Sequence, residues 1–293
     1  MSQGEECCRL KGCVSFLCGY LGISRQGYYR HVERSMDVDV LRTSIVLYAG
    51  EVLKDMPKAG MRELYALCRR KFGPKFTLGR DQCYALFRSN GLCQRRRKRP
   101  RTTFSNHGYF IYGDLVNTTP KLRPHRLGEL CVADITYVAT SSGWAYLSLV
   151  TDAASRVILG WALHPTLARE GPIQAMQMAM GCYREYGVDL TLLIHHSDRG
   201  VQYCCHEYVS LLERSGIRIS MTQTGDPLHN ALAERMNNTV KNGWLFDTHD
   251  KSFEEVSQLV AKAVRLYNTV RPHQSLEMRT PQQELLRLLG RAA

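Results

Sequence analysis

The chain has 293 residues and a mass of 33.4 kDa, more than one typical domain and enough for two. Its 44% hydrophobic and 23% charged residues exclude a broadly disordered chain, and no apolar run approaches the ~18–20 residues of a membrane span. The net charge of +12 is segregated, +14 over residues 1–128 and −2 over residues 129–293, so a basic module suited to a polyanion is joined to one of different character.

The first residues, Met1 to Cys13, are polar and carry two acids, which is not the pattern of a secretory signal. The expectation is a soluble cytosolic protein whose eleven cysteines are reduced thiols packed as small hydrophobes; none forms the C-x-x-C pair that opens a zinc site. Val14 to Leu21 is an apolar stretch stopped at Gly22. Ser24 then offers an N-cap for a short segment ending at Tyr28-Tyr29-Arg30. A loose helical period runs from Asp37 to Lys54, tighter stripes occupy Met61 to Phe72 and the stretch through Cys83, Leu86 and Phe87, and Asn90-Gly91 is a stop. Helix, turn, helix with basic residues between suits a helix-turn-helix-like DNA-binding region, although any small helical bundle shows the same pattern.

Arg95, Arg96, Arg97, Lys98, Arg99 and Arg101 form a run that repels itself and cannot enter a core. Beside a basic helical module it reads as a strap on DNA phosphates; a solvated linker is the plainer reading. Residues 102–128 read as a linker, broken by Pro120 and Pro124.

The period then changes. Leu130–Val138, Ala145–Thr151 and Arg156–Leu163 are strand-like runs with short gaps, an antiparallel meander. A helix is expected over 169–186, a strand over 190–195, a helix near 205–215, a strand over 217–221, a helix from about 230 to 246, another over 252–268, and a short last one at 285–289. Strands alternating with helices imply a mixed α/β sheet.

Three acids stand out. Asp134 lies mid-strand with Val132, Thr136 and Val138 on its face, where an acid is costly unless paired or bound to a cation. Asp198 directly follows a strand, and strand ends are where α/β sheets place ligands. Glu234 falls near the start of a helix. Together their oxygens suit hard divalent ions, and two such ions can clamp an in-line phosphoryl displacement. Each acid also has a plainer reading: a hydrogen-bonded structural acid, a turn residue, and a carboxylate complementing the helix dipole. Asp152 is a rival first carboxylate, but the Ala-Ala-Ser-Arg after it reads as a turn. Lys241 projects from nearly the same helix face as Glu234, where it suits a DNA phosphate or simply solvent. Asn237 and Asn238 could reach a DNA backbone. His273 either supports the site or anchors the final segment, and His195 and His196 orient the strand end rather than bind metal.

Asp134 in Val-Ala-Asp-Ile-Thr-Tyr, Asp198 in His-Ser-Asp-Arg-Gly-Val-Gln-Tyr and Glu234 in Asn-Ala-Leu-Ala-Glu-Arg resemble the DDE transposases of bacterial insertion sequences, in particular the second-reading-frame product (OrfB) with its retroviral-integrase-type core. Thirty-five residues separate Asp198 from Glu234, the spacing of the D,D(35)E group. Tyr267-Asn268, Arg271-Pro272-His273, Ser275-Leu276 and Thr280-Pro281 resemble that family's ending; the front resembles it more loosely, through Gly22 to Arg30 and Asn90-Gly91-Leu92. Two departures, Cys131 where the family has Trp and His229 where it commonly has Asp, touch no catalytic acid.

The resemblance implies an α/β RNase H-like mixed sheet as the catalytic core, preceded by the small all-α region. The expected division is 1–106 for the DNA-binding region with its strap, 107–124 for a linker, 125–246 for the core and 247–293 for a helical extension. It implies catalysis and metal binding by Asp134, Asp198 and Glu234 with Mg²⁺ or Mn²⁺, two ions, and nicking of element ends followed by 3′-hydroxyl strand transfer. The implied partners are double-stranded DNA, further copies of the chain on paired ends, and a first-frame partner or frameshift fusion. No membrane partner is implied, and the setting would be the cytoplasm of a bacterium, at the nucleoid. A nuclease on the same fold, or a regulator that binds DNA without chemistry, are the competing readings.

Overall fold

The computed structural model describes residues 13–93, 111–223, 230–245 and 247–290, the side chains of residues 34 and 35 apart; the basic run at 95–101 lies outside them. The chain divides into two compact units, one of residues 1–52 and 68–93, the other of residues 53–67 and 94–293.

The first unit is helical. Helix α1 spans 13–20. Ser24 caps α2 by accepting the Gly27 N–H at 3.0 Å, as the sequence suggests, but α2 runs unbroken over Arg25–Asp55 instead of stopping at Arg30. The reason is the lack of punctuation: nothing from Tyr28 to Ala49 demands a positive φ or removes an N–H. Helices α3 (Met61–Phe72) and α4 (Arg80–Ser89) follow. Ile45, Ala49, Cys68, Cys83 and Phe87 are among this unit's buried apolar residues. Helix α4 ends as the sequence dictates: Gly91 takes a φ of 69°, and the Leu92 N–H returns to the Phe87 carbonyl.

The second unit is built on five strands, β1 (Leu130–Thr140), β2 (Gly143–Asp152), β3 (Ile158–His164), β4 (Ile194–Ser197) and β5 (Arg218–Met221), in the order β3-β2-β1-β4-β5. The first three are antiparallel; β4 and β5 run parallel to β1. The expected strand at 190–195 sits further on, because Asp189 accepts the Thr191 N–H and hydroxyl and curls Leu190–Leu192 into a 3₁₀ turn.

Alternate residues of β1 face opposite layers. Cys131 and Ala133 join the layer of α5 (Glu170–Glu185) and α7 (His206–Arg214), with Met176, Ala179, Tyr183, Tyr208 and Leu212. A single turn of helix, α6 (Val201–Cys204), precedes α7. Val138 joins the opposite layer of α8 (Ala231–Trp244) and α9 (Phe253–Thr269), with Met236, Val240, Val260 and Tyr267. Helix α9 starts with a capping box between Ser252 and Glu255, and α10 (Pro281–Leu288) starts four residues earlier than its apolar run suggests, because Thr280 caps it and Pro281 opens it.

Residues 53–67, the end of α2 and the first half of α3, belong to this second unit. Lys262 pairs with Asp55 at 2.8 Å, Trp244 Nε1 donates to the Asp55 carbonyl, Arg62 donates to Gln274, and Arg271 pairs with Glu63. Both side chains of that last pair are largely shielded.

Candidate active site

The strand register decides where two of the acids lie. Along the parallel β1–β4 pair, Leu130 faces Ile194 and Val132 faces His196. The pairing ends there, and Asp198, just past β4, lies near enough to Asp134 for its charge to act on it. Asp134 is in phase with Leu130 and Val132, on the face toward α8. There the Asn237 amide donates to one of its oxygens at 2.8 Å, and the Ile135 N–H to the other at 2.9 Å. Asp198 directly follows β4 and accepts the Gly200 N–H at 2.9 Å; a β-carbon at Gly200 would lie 3.1 Å from that oxygen. Glu234 sits in the first turn of α8, half-buried.

These acids feel one another. Enclosure, then the charge of Asp198 and more weakly that of Glu234, pushes the Asp134 carboxyl up to about 7, against the pull of its two hydrogen bonds. Asp134 makes no ion pair among the described residues. Arg199 is drawn elsewhere: its Nε donates to the Thr222 carbonyl at 2.6 Å. Among the described residues, no three His, Cys, Asp or Glu side chains stand close enough to share a single ion.

Asp152, the rival, is consumed by the fold. It is fully buried and accepts from Gly128 N, Ala154 N, Ser155 N, Ser155 Oγ and Tyr183 Oη. Five donors leave it nothing for a ligand. His195 lies fully buried with its Nε2 2.9 Å from the Tyr208 hydroxyl, and His196 reaches the Ser220 hydroxyl at 2.8 Å, so both knit β4 to its neighbours. His273 packs edge-on against Tyr267 at 4.9 Å and its backbone N–H bonds the Arg279 carbonyl, an anchor of the final segment. Asn237 is turned inward to Asp134 rather than outward. Asn238 and Glu234 line a depression of about 490 Å³, with Lys58, Arg235, Asn242 and Arg271. Lys241 is half-buried, which lowers its affinity for its proton.

Sequence reasoning overlooked Asn230, whose amide donates to the Ala133 carbonyl at 3.2 Å and ties the residue before α8 to β1 beside Asp134. It also overlooked Arg156 and Arg235, which face one concavity from separate segments. Their signal lay in the Asn-x-x-x-Glu-Arg spacing for two of them; Arg156 has none, being read as part of a strand.

A five-stranded mixed sheet with antiparallel first strands, parallel last strands and helices on both faces is the RNase H-like arrangement. The Integrase core domain family matches residues 124–227 and again 215–281. The chain is 31% identical over 267 residues to the insertion element IS600 uncharacterized 31 kDa protein of Shigella sonnei, covering 89% of this chain and 94% of that one. It is 36% identical over 181 residues to the putative transposase for insertion sequence element IS986/IS6110 of Mycobacterium tuberculosis, covering 61% of this chain and 64% of the other. Among solved structures it is similar to the HTLV-2 integrase catalytic core domain in complex with magnesium, with a TM-score of 0.42, 16% identity, and coverage of 55% of this chain and 98% of that one. The chain belongs to the insertion-sequence transposases that carry an integrase core.

Proposed function

We propose that the chain is the catalytic subunit of DNA transposition, a polynucleotidyl transferase that nicks the ends of its element and joins the freed 3′-hydroxyl to another phosphodiester. The observation that carries this reading is the shared field of Asp134, Asp198 and Glu234: the Asp134 carboxyl is held up at about 7 by enclosure and by the other two acids, with no ion pair among the described residues to relieve it. Such a donor set, oxygen only, fits Mg²⁺ or Mn²⁺. Asp134 and Asp198 would hold one ion, and Glu234 would complete a second. Bound there, the ions would make the attacking oxygen more acidic and stabilise the leaving one. Asn237 and the Ile135 N–H fix the Asp134 carboxylate, and the Gly200 N–H fixes that of Asp198, so the donors are oriented before a ligand arrives. Glu234 opens onto the depression that Asn238 and Asn242 line, where a DNA strand would lie. The chain would act as several copies on paired ends, with a first-frame product as partner or fused to it.

Asp134→Asn, Asp198→Asn and Glu234→Gln should each abolish nicking and joining of labelled duplex in Mg²⁺ while leaving duplex binding intact. A second readout is thermal. Asp134 is an acid whose folded pKa is raised, so its penalty on folding is absent below about pH 4, grows as pH rises and is complete above 7. Asp134→Asn should therefore raise the melting temperature of the metal-free protein at pH 8 and not at pH 4, and Mg²⁺ should stabilise the parent chain more than the variant. Full nicking by any of the three variants would overturn the assignment. Nicking without joining would favour a nuclease, and binding with no chemistry a regulator.

A further inference from the structure

A second depression, of about 540 Å³, lies on the other side of the start of α8. Lys121, Arg123, Arg156, Arg235 and Arg287 line it, with Asn230 on its wall. Glu284 is the one acid there among the described residues, and its carboxylate is shared between Arg279 and Arg287. Lys121, Arg123, Arg156 and Arg235 make no ion pair among the described residues.

Arg156 is the telling residue. Its backbone takes a φ of 65°, in the left-handed region that favours glycine, in the turn between β2 and β3. Its side chain is largely buried and its Nε has no acceptor. Burial lowers its affinity for its proton and the charge of Arg235 adds to that, with Tyr267 and Asp152 opposing. Asp152 cannot pair with it, since five other donors already hold that carboxylate. Asn230 leaves a second buried atom unmet, its Oδ1, while its amide nitrogen bonds Ala133. A strained backbone carries a sheltered guanidinium whose Nε lacks an acceptor among the described residues, and four further cations stand around the same concavity, three of them outside any ion pair among those residues. These charges repel each other until an anion joins them. Planar guanidinium groups match the paired oxygens of a phosphate. Ala231 and Arg235 line this depression and also the one that holds Glu234, so the two meet at the first turn of α8.

We propose that this pocket seats a backbone phosphate of the DNA strand that passes Glu234, holding that strand in register with the acids. The proposal rests on the reading of the chain as an enzyme of DNA and adds the residues that grip its substrate. A lone phosphate ion shares the chemistry; the polynucleotide is favoured because the pocket is open and shares Ala231 and Arg235 with the Glu234 depression.

The test uses the full-length chain and a labelled duplex of arbitrary sequence in EDTA, titrated over a range of salt. Lys121 and Arg235 are exposed, so Lys121→Gln with Arg235→Gln should fold normally. Affinity should fall several-fold at about 0.1 M salt, and the log–log salt slope should flatten by roughly one unit for each phosphate left without its cation. Lys121→Arg with Arg235→Lys should keep the parent slope. An unchanged slope and affinity in the Gln pair would overturn the proposal. So would a Gln pair that loses binding of inorganic phosphate yet keeps its hold on duplex, the mark of a small-anion site. Asp134→Asn, run alongside, separates the two readings: its full nicking activity would sink the catalytic assignment and leave this pocket standing.

Discussion

Two buried histidines set how the protein answers to acid. His195 and His273 are each held near a pKa of about 3, chiefly because burial disfavours the imidazolium, with His196 adding its charge in the first case and Arg271 in the second. In the unfolded chain both would titrate near 6.5. Their folded pKa values are therefore depressed, so between about pH 6.5 and 3 the unfolded chain binds more protons at these two sites and their contribution to stability falls as pH falls. Each fully buried neutral histidine steepens that fall by up to ~1.4 kcal/mol per pH unit. We expect His273→Gln, which keeps the shape and cannot charge, to cost stability at pH 7.5 yet flatten the loss between pH 6.5 and 5, as read from urea midpoints. An unchanged pH slope would mean that His273 is solvated. The sequence could place both histidines in structured segments, but their burial depends on Tyr208 and Tyr267, which arrive from other elements. By contrast Asp134 was legible at once, since an acid among Val132, Thr136 and Val138 contradicts the pattern of its own strand.

At the scale of elements, periodicity exposed the meander and the crossover helices, because β1 to β3 are joined by short turns and α5, α8 and α9 have clean apolar stripes. It failed where local hydrogen bonds decide the outcome, as in the turn that Asp189 organises, and where nothing interrupts a helix, as in α2. It also gave no hint of how closely β3 approaches α5. A β-carbon on Gly160 would come within 1.9 Å of the Ala175 carbonyl oxygen and 2.9 Å of the Ala179 nitrogen. Both are backbone atoms of a buried helix, so the helix would have to move. Gly160→Ala should cost about 3 kcal/mol, at the upper end of overpacking, and a chemical denaturation midpoint would show it. A loss under ~0.5 kcal/mol would mean that α5 slides freely on the sheet.

For the whole molecule, charge and chain order do not divide where the packing divides. The sequence shows +14 before residue 129 and −2 after it, which invites a cut near residue 107. Yet the corner formed by residues 53–67 packs with the second unit, and no composition shift marks it. The signal was hidden because its partners, Trp244, Lys262 and Arg271, come from some two hundred residues further on.

That corner makes the N-terminal half a poor interchangeable cassette. A polypeptide beginning at residue 107 would leave Arg271 shielded without its carboxylate, strip one wall from the depression at Glu234 and bare the indole of Trp244. Removing one partner of a shielded ion pair costs up to 3–5 kcal/mol when burial is complete, and less here. We expect fragment 107–293 to melt well below the full chain and to gain solubility from Arg271→Met, a change that should only harm the intact protein. Equal melting temperatures for fragment and parent would refute this. Recombination between relatives that exchanged N-terminal halves would therefore have to carry residues 53–67 with the second unit, or alter Arg271 at the same time; the crossover point would be written by a salt bridge rather than by chain order.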